Sequence, residues 1–131
     1  MEMEIKIICF TRVFNDYEYL DQTLASMLDF PCDFYIIEGS WNSSQKAGAN
    51  LRSNEKTYNI INKYLNLNNK FKLIQANGED EKSHCQIAMD IAIKENADWL
   101  FLLDADEVHH KEELNQILIY LDQYKNENIF K

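Results

Sequence analysis

Apolar and polar positions along the chain fall into two alternating periods. Ile5-Lys6-Ile7-Ile8-Cys9-Phe10 is a short β-rich run, followed by a polar stretch from Thr11 to Asp16. Leu20, Leu24, Met27 and Leu28 then recur at i, i+4, i+7 and i+8, one face of an amphipathic helix. Asn15 and Glu18 form a capping-box pattern at its start, and Pro31 lies just past its end. Asp33-Phe34-Tyr35-Ile36-Ile37 reads as a second strand ending on Glu38-Gly39-Ser40. The segment from Trp41 to Asn50 has no periodicity and is rich in Ser, Asn and Gly, so it predicts a loop. Ser53 can cap a second helix, with Ile61, Tyr64 and Leu65 on one face. Phe71 to Gln75 is a third strand. A polar turn through Asn77-Gly78-Glu79 leads to a third helix carried by Ala88, Ile91 and Ala92.

Trp99 to Leu103 is five consecutive apolar residues running into Asp104, Asp106 and Glu107. Such a run predicts a strand buried on both faces, in the middle of a parallel sheet. A last amphipathic helix follows through Leu114, Ile117, Leu118 and Leu121, and Asn128 to Lys131 reads as the start of a fifth strand. Helical crossovers between successive strands imply an α/β fold of Rossmann-like type, a three-layer sandwich on a mainly parallel sheet. Parallel packing brings Thr11 to Asn15, Glu38 and the acidic cluster to one edge, where ligands of open α/β sheets collect.

Composition narrows the chemistry. The 131 residues carry 22 acids against 13 bases, a formal charge of −9, and the bases do not cluster. A nucleic-acid partner is therefore not expected, and a diphosphate would be poorly received without a bridging metal. Cys9, Cys32 and Cys85 are widely spaced with no C-x-x-C, so neither a disulfide framework nor a zinc knuckle is indicated. No basic leader and no membrane-length apolar run are present, which predicts a cytoplasmic protein.

With glycines only at 39, 48 and 78, neither G-x-G-x-x-G nor the Walker pattern can be written. Phosphate binding would fall to a metal, to Arg12 or Lys82, or to helix N-termini. Asp104 and Asp106 at i, i+2 repel each other unless a cation lies beside them, and a divalent metal answers that need. The bland alternative is that Asp106 or Glu107 caps the last helix. An EF-hand loop from Asp104 fails, with His109 at its sixth position and Asn115 at its twelfth. His109 and His110 suit solvent better than zinc. Lys82, His84 and Gln86 precede the third helix near the same edge, Lys82 being the best diphosphate candidate among them. Trp41 is either part of a mobile flap or a packed surface ring.

Three segments together resemble the nucleotide-binding half of family 2 glycosyltransferases with the GT-A fold. They are Thr11-Arg12-Val13-Phe14-Asn15-Asp16 with Tyr19-Leu20, Ile36-Ile37-Glu38-Gly39-Ser40, and Phe101-Leu102-Leu103-Asp104-Ala105-Asp106-Glu107. They match in order the family's N-E-x-x-x-L-type opening, its acid-Gly-Ser strand ending and its D-x-D signature. The resemblance implies a single nucleotide-diphosphate-sugar-binding domain over residues 1–131. Thr11 and Arg12 would line the base pocket, and Glu38 would accept a hydrogen bond from the base. Asp104 would contact the ribose or a metal-bound water, and Asp106 would ligate Mn²⁺ or Mg²⁺ bridging the diphosphate. Transfer would be inverting, to an acceptor of unstated kind: saccharide, lipid or protein.

Two departures accompany the resemblance. Gln86 and Ile87 stand near the place of the family's Arg-Asn pair. The acceptor-binding half, which supplies the general base, has no counterpart in the 24 residues after Glu107, so the chain reads as truncated and weakly active at most. A non-catalytic nucleotide-binding module is one alternative. Another is a haloacid-dehalogenase-like phosphatase, whose D-x-D-x-(T/V) signature Asp104 to Val108 also resembles, with Asp104 as nucleophile and Asp106 as acid/base.

Overall fold

The computed structural model describes residues 5–77 and 80–124. The elements are β1 (Ile7–Val13), α1 (Tyr17–Ser26), β2 (Asp33–Glu38), α2 (Asn42–Lys46), α3 (Glu55–Leu67), β3 (Phe71–Gln75), α4 (Glu81–Lys94), β4 (Trp99–Asp104) and α5 (Lys111–Tyr124). The four strands are parallel and ordered β3-β2-β1-β4. This is the α/β, Rossmann-like architecture expected from the alternating periods. The expected fifth strand at Asn128 to Lys131 lies outside the described residues, as do positions 78 and 79 of the expected turn.

Period-two alternation in the strands builds the layers. Ile7, Cys9 and Val13 of β1 share a face with Phe34 and Ile36 of β2, packed under α1 (Leu20, Leu24), α3 (Ile61, Tyr64) and α5 (Leu114, Leu121). Ile8 and Phe10 turn the other way with Tyr35 and Ile37, against Ala88 of α4. The Phe10 and Tyr35 rings stack at 5.1 Å on that second face. β1 and β2 are thus buried on both sides, as their unbroken apolar runs require.

β4 corrects the sequence reading. Its apolar run occupies an edge of the described sheet, and Leu102 is 56% exposed. An apolar run of five reads the same at the centre or the edge, because hydrophobicity does not report which neighbour a strand has. β1 also extends three residues beyond Phe10, so Thr11 and Arg12 lie in the strand rather than in a turn.

Helix starts differ in detail. The Asn15/Glu18 box does not form: Asp16 takes the N-cap position of α1 without a capping bond, and its Oδ2 accepts the Phe14 N–H at 2.7 Å. Asn54, not Ser53, caps α3, accepting the Thr57 N–H at 2.9 Å. Within the expected loop, Asn42–Lys46 forms the five-residue α2.

α1 and α3 are joined at Tyr64, whose hydroxyl donates to Asp21 Oδ1 at 2.6 Å and to the Asp21 carbonyl at 2.9 Å. The Tyr64 hydroxyl and Lys63 hold the Asp21 carboxyl below the usual carboxylate range. Tyr64→Phe keeps the ring packed on Phe71 and removes only this donor. The expected loss is about 1 kcal/mol near neutral pH. A depressed carboxyl stabilises above its unfolded pKa and ceases to as pH falls through its folded one. Urea titrations should therefore show the gap between wild type and variant narrowing below the usual carboxylate range.

Candidate functional site

The register of β1 against its neighbours assembles the strand ends. Arg12 lies opposite Ile37 on one side and Asp104 on the other, and Val13 lies opposite Glu38. Beyond these ends is a cavity of about 570 Å³ lined by Arg12, Asn15, Asp16, Glu18, Tyr19, Asp104, Ala105 and Asp106. It therefore unites Arg12, Asp104 and Asp106 from the sequence reading.

Arg12 is held from two sides. Its Nη2 pairs with Glu81 Oε1 at 3.1 Å, and its guanidinium lies 5.4 Å from the centre of the Trp41 ring. Trp41 in turn stands edge-on to buried His84, at 6.5 Å. Trp41 is thus half-buried against the site, and a flexible loop alone does not describe it. His84 lies within α4 rather than ahead of it.

The acidic segment is a tight turn. The Asp104 N–H donates to Glu107 Oε1 at 3.0 Å, and the Glu107 N–H returns a bond to the Asp104 carbonyl at 3.0 Å. Since α5 begins at Lys111, neither Asp106 nor Glu107 caps it, and Glu107 closes the strand end instead. Ala105 is buried, its carbonyl accepting from Thr23 Oγ1 of α1 at 2.7 Å, while Asp104 and Asp106 are exposed toward the cavity. His109 is fixed by its N–H to Ser26 Oγ at 3.2 Å, and its Nε2 lies 3.7 Å from Glu107 Oε2.

Asp16, Glu18 and Tyr19 were not singled out as site residues in the sequence, and Asn15 entered only as the end of the stretch brought to this edge. The signal was available, because they follow a strand that ends on the same edge. Asp16 feels the crowding. Desolvation raises its carboxyl above the ordinary range, the Phe14 N–H opposes this, and the Asp106 charge adds to the rise.

Glu38 is corrected. Lying on the face of Phe34 and Ile36, it is fully buried and accepts from Arg52 Nη1 at 2.8 Å, from the Ser53 N–H at 2.7 Å and from the Tyr58 hydroxyl. Three protein donors occupy the carboxylate, so it fixes the segment from Ser40 to Ser53 and offers no free acceptor to a base. Arg52 also donates to the carbonyls of Glu38 and Ala76. Gly39 allows this crossing: its φ is +141°, and a Cβ there would lie 2.9 Å from the Ala76 carbonyl oxygen. Asn15 ties the cavity rim to the same network. Its N–H donates to Ser53 Oγ at 3.1 Å and its Oδ1 accepts the Asn54 N–H at 2.7 Å.

The remaining expectations also move. Thr11 is buried within β1 and is not among the residues lining the cavity. Lys82 and Gln86 lie exposed on α4 and are not among the residues lining the cavity, and Gln86 donates to Asp90 Oδ1 at 2.8 Å. Among the described residues no three His, Cys, Asp or Glu side chains converge as a protein-only metal cage. Mg²⁺ is commonly held by one or two carboxylates plus substrate phosphates, and Asp104 with Asp106 supplies oxygen donors of that kind.

The parallel order β3-β2-β1-β4 and its helical layers make this an α/β, Rossmann-like fold. The particular likeness is to S. aureus TarS, a family 2 glycosyltransferase. Against the crystal structure of TarS 1-349 the TM-score is 0.65 at 19% identity, covering 92% of this chain and 33% of that one. Against a second TarS crystal structure it is 0.61 at 19% identity, covering 92% and 20%. The chain thus spans a third or less of the length of the proteins it resembles. No family profile and no curated protein sequence matches it. Among the described residues no helix is long and apolar enough to cross a membrane.

Proposed function

We propose that this chain forms the donor-binding lobe of a family 2-like, inverting glycosyltransferase that takes a nucleotide-diphosphate sugar with Mn²⁺ or Mg²⁺. The observation that carries the reading is the strand-end cavity uniting Arg12, Asp104 and Asp106 on a glycosyltransferase-like sheet. In this reading the Asp106 carboxylate holds the metal, and Asp104 takes the ribose or a metal-bound water. Arg12, already oriented by Glu81 and Trp41, meets the diphosphate with a fixed positive charge. Bound, the metal supplies Lewis-acid stabilisation to the leaving diphosphate. The carboxylate base for the acceptor hydroxyl, whether on saccharide, lipid or protein, comes from outside this lobe.

Calorimetric titration with uridine and guanosine diphosphates, with and without Mn²⁺, tests the reading. Binding of at least one diphosphate is expected with Mn²⁺ and should disappear on adding EDTA. Binding unchanged by the chelator, or no binding of either nucleotide, overturns it.

A further inference from the structure

Helix α1 carries both a wall of the strand-end cavity and a hold on its acids. Glu18 and Tyr19, in its first turn, line the cavity. One turn further on, Thr23 has no solvent exposure, and its Oγ1 donates to the Ala105 carbonyl at 2.7 Å, 82 positions away in sequence. Ser26 follows at i+3 on the same side of the helix. Its Oγ accepts the His109 N–H at 3.2 Å and donates to the Thr23 carbonyl at 2.7 Å. Two hydroxyls of one helix therefore grip both ends of the segment from Ala105 to His109.

The acid turn begins inside this grip. The bond from the Glu107 N–H to the Asp104 carbonyl closes Asp104 to Glu107 as a β-turn, with Ala105 and Asp106 at its centre. Type I and type II turns differ by a half-rotation of the peptide joining the two central residues, and type II needs a positive φ at the second. Among the described residues the positive φ values fall at Asn15, Gly39, Gly48 and Asn96, so the turn is not type II. Thr23 holds the carbonyl of that central peptide. Asp106 hangs from the same peptide, so the bond that fixes the one orients the other.

We infer that Thr23 and Ser26 are positioning residues that hold the acid turn in the shape presenting Asp104 and Asp106 together to the cavity. Neither lines the cavity, so each acts through the turn. The hold stands on the hydrogen bonds alone, whereas its use, offering two oxygen donors to a metal and a nucleoside diphosphate, rests on the donor-lobe reading above. Two carboxylates two residues apart repel each other. A turn free to rearrange lets them separate, and a cation must then draw them back at a cost in affinity; a turn held in advance avoids that cost. Thr23 Oγ1 also lies 3.0 Å from the Tyr19 carbonyl, so one side chain couples the cavity wall to the acids.

Thr23→Val keeps the branched shape and a similar helix propensity while removing the hydroxyl. Amide hydrogen exchange on the ligand-free protein should run about tenfold faster at Asp104 and Glu107 in this variant, with β1 and β2 as in wild type. Ser26→Ala should have the same effect at His109, and Thr23→Ser should restore slow exchange at the turn. The Mn²⁺ concentration needed for half-maximal binding of uridine or guanosine diphosphate should rise about tenfold in Thr23→Val and return in Thr23→Ser. It should stay at the wild-type level in Tyr35→Phe, which loses a hydroxyl bond to Glu95 on the opposite face of the sheet. Wild-type exchange in Thr23→Val overturns the hold. Faster exchange with an unchanged Mn²⁺ requirement, or an equal rise in Tyr35→Phe, overturns the positioning role. If the wild-type protein takes neither nucleotide, the donor-lobe reading fails, and exchange at the turn still decides whether Thr23 and Ser26 hold it.

Discussion

Asp106→Ala should weaken Mn²⁺-dependent nucleoside diphosphate binding by about 100-fold, since even outer-shell losses at metal sites cost 10–100-fold. The sign of the change is more informative than its size. The cavity is acidic, with Asp16, Glu18, Asp104 and Asp106 around Arg12. If Arg12 alone received the diphosphate, removing a neighbouring negative charge would tighten binding. If Asp106 holds the metal, the same substitution loosens it. Stability should move little or rise, because the Asp106 charge contributes to the strain on Asp16. Calorimetry of the variant with a parallel thermal melt separates the two readings, and tighter binding at unchanged stability would sink the metal-bridged one.

Arg52→Met should destabilise the fold by about 3 kcal/mol and lower the melting midpoint by roughly 12 °C. Arg52 is the cationic partner of a carboxylate with no solvent exposure, and its loss leaves Glu38 with only the Ser53 N–H and the Tyr58 hydroxyl. The lower end of the range for a broken buried pair applies because Arg52 itself is 30% exposed. Adding Glu38→Gln should recover about half of the loss, the interior then holding an amide in place of an unpaired charge. A melt in which Arg52→Met behaves as wild type would show that Glu38 is not structural, and its role toward a base would reopen.

The layered α/β order was legible in the sequence because each helix and strand follows its own hydrophobic period. That Arg12, Asp104 and Asp106 line one cavity was legible in the sequence because Arg12 and Asp104 pair near the ends of adjacent parallel strands and Asp106 follows two residues on. Glu38 was misjudged for a reason the sequence does not carry. An acid at a strand end looks available until its donors are known, and these come from Arg52, Ser53 and Tyr58, fourteen or more positions later. Thr11 failed in the same way, since β1 runs on beyond its apolar core into residues that only pairing on both sides keeps extended. Lys82 and Gln86 follow the strand edge in sequence yet fall outside the cavity lining, because helical phase, not proximity in sequence, decides where a side chain points.

The pairing of Arg12 with Asp104 spans 92 positions, whereas β1 meets β2 across 25 and β2 meets β3 across 37. Closing that longest loop carries the largest entropic cost among the strand pairings, so β4 is expected to dock last. Until it does, Arg12 and the aspartates are strangers in solution. The strand-end cavity is therefore expected to take shape only at the final step of assembly, and local fraying of β4 would dismantle it while the rest of the sheet stays intact.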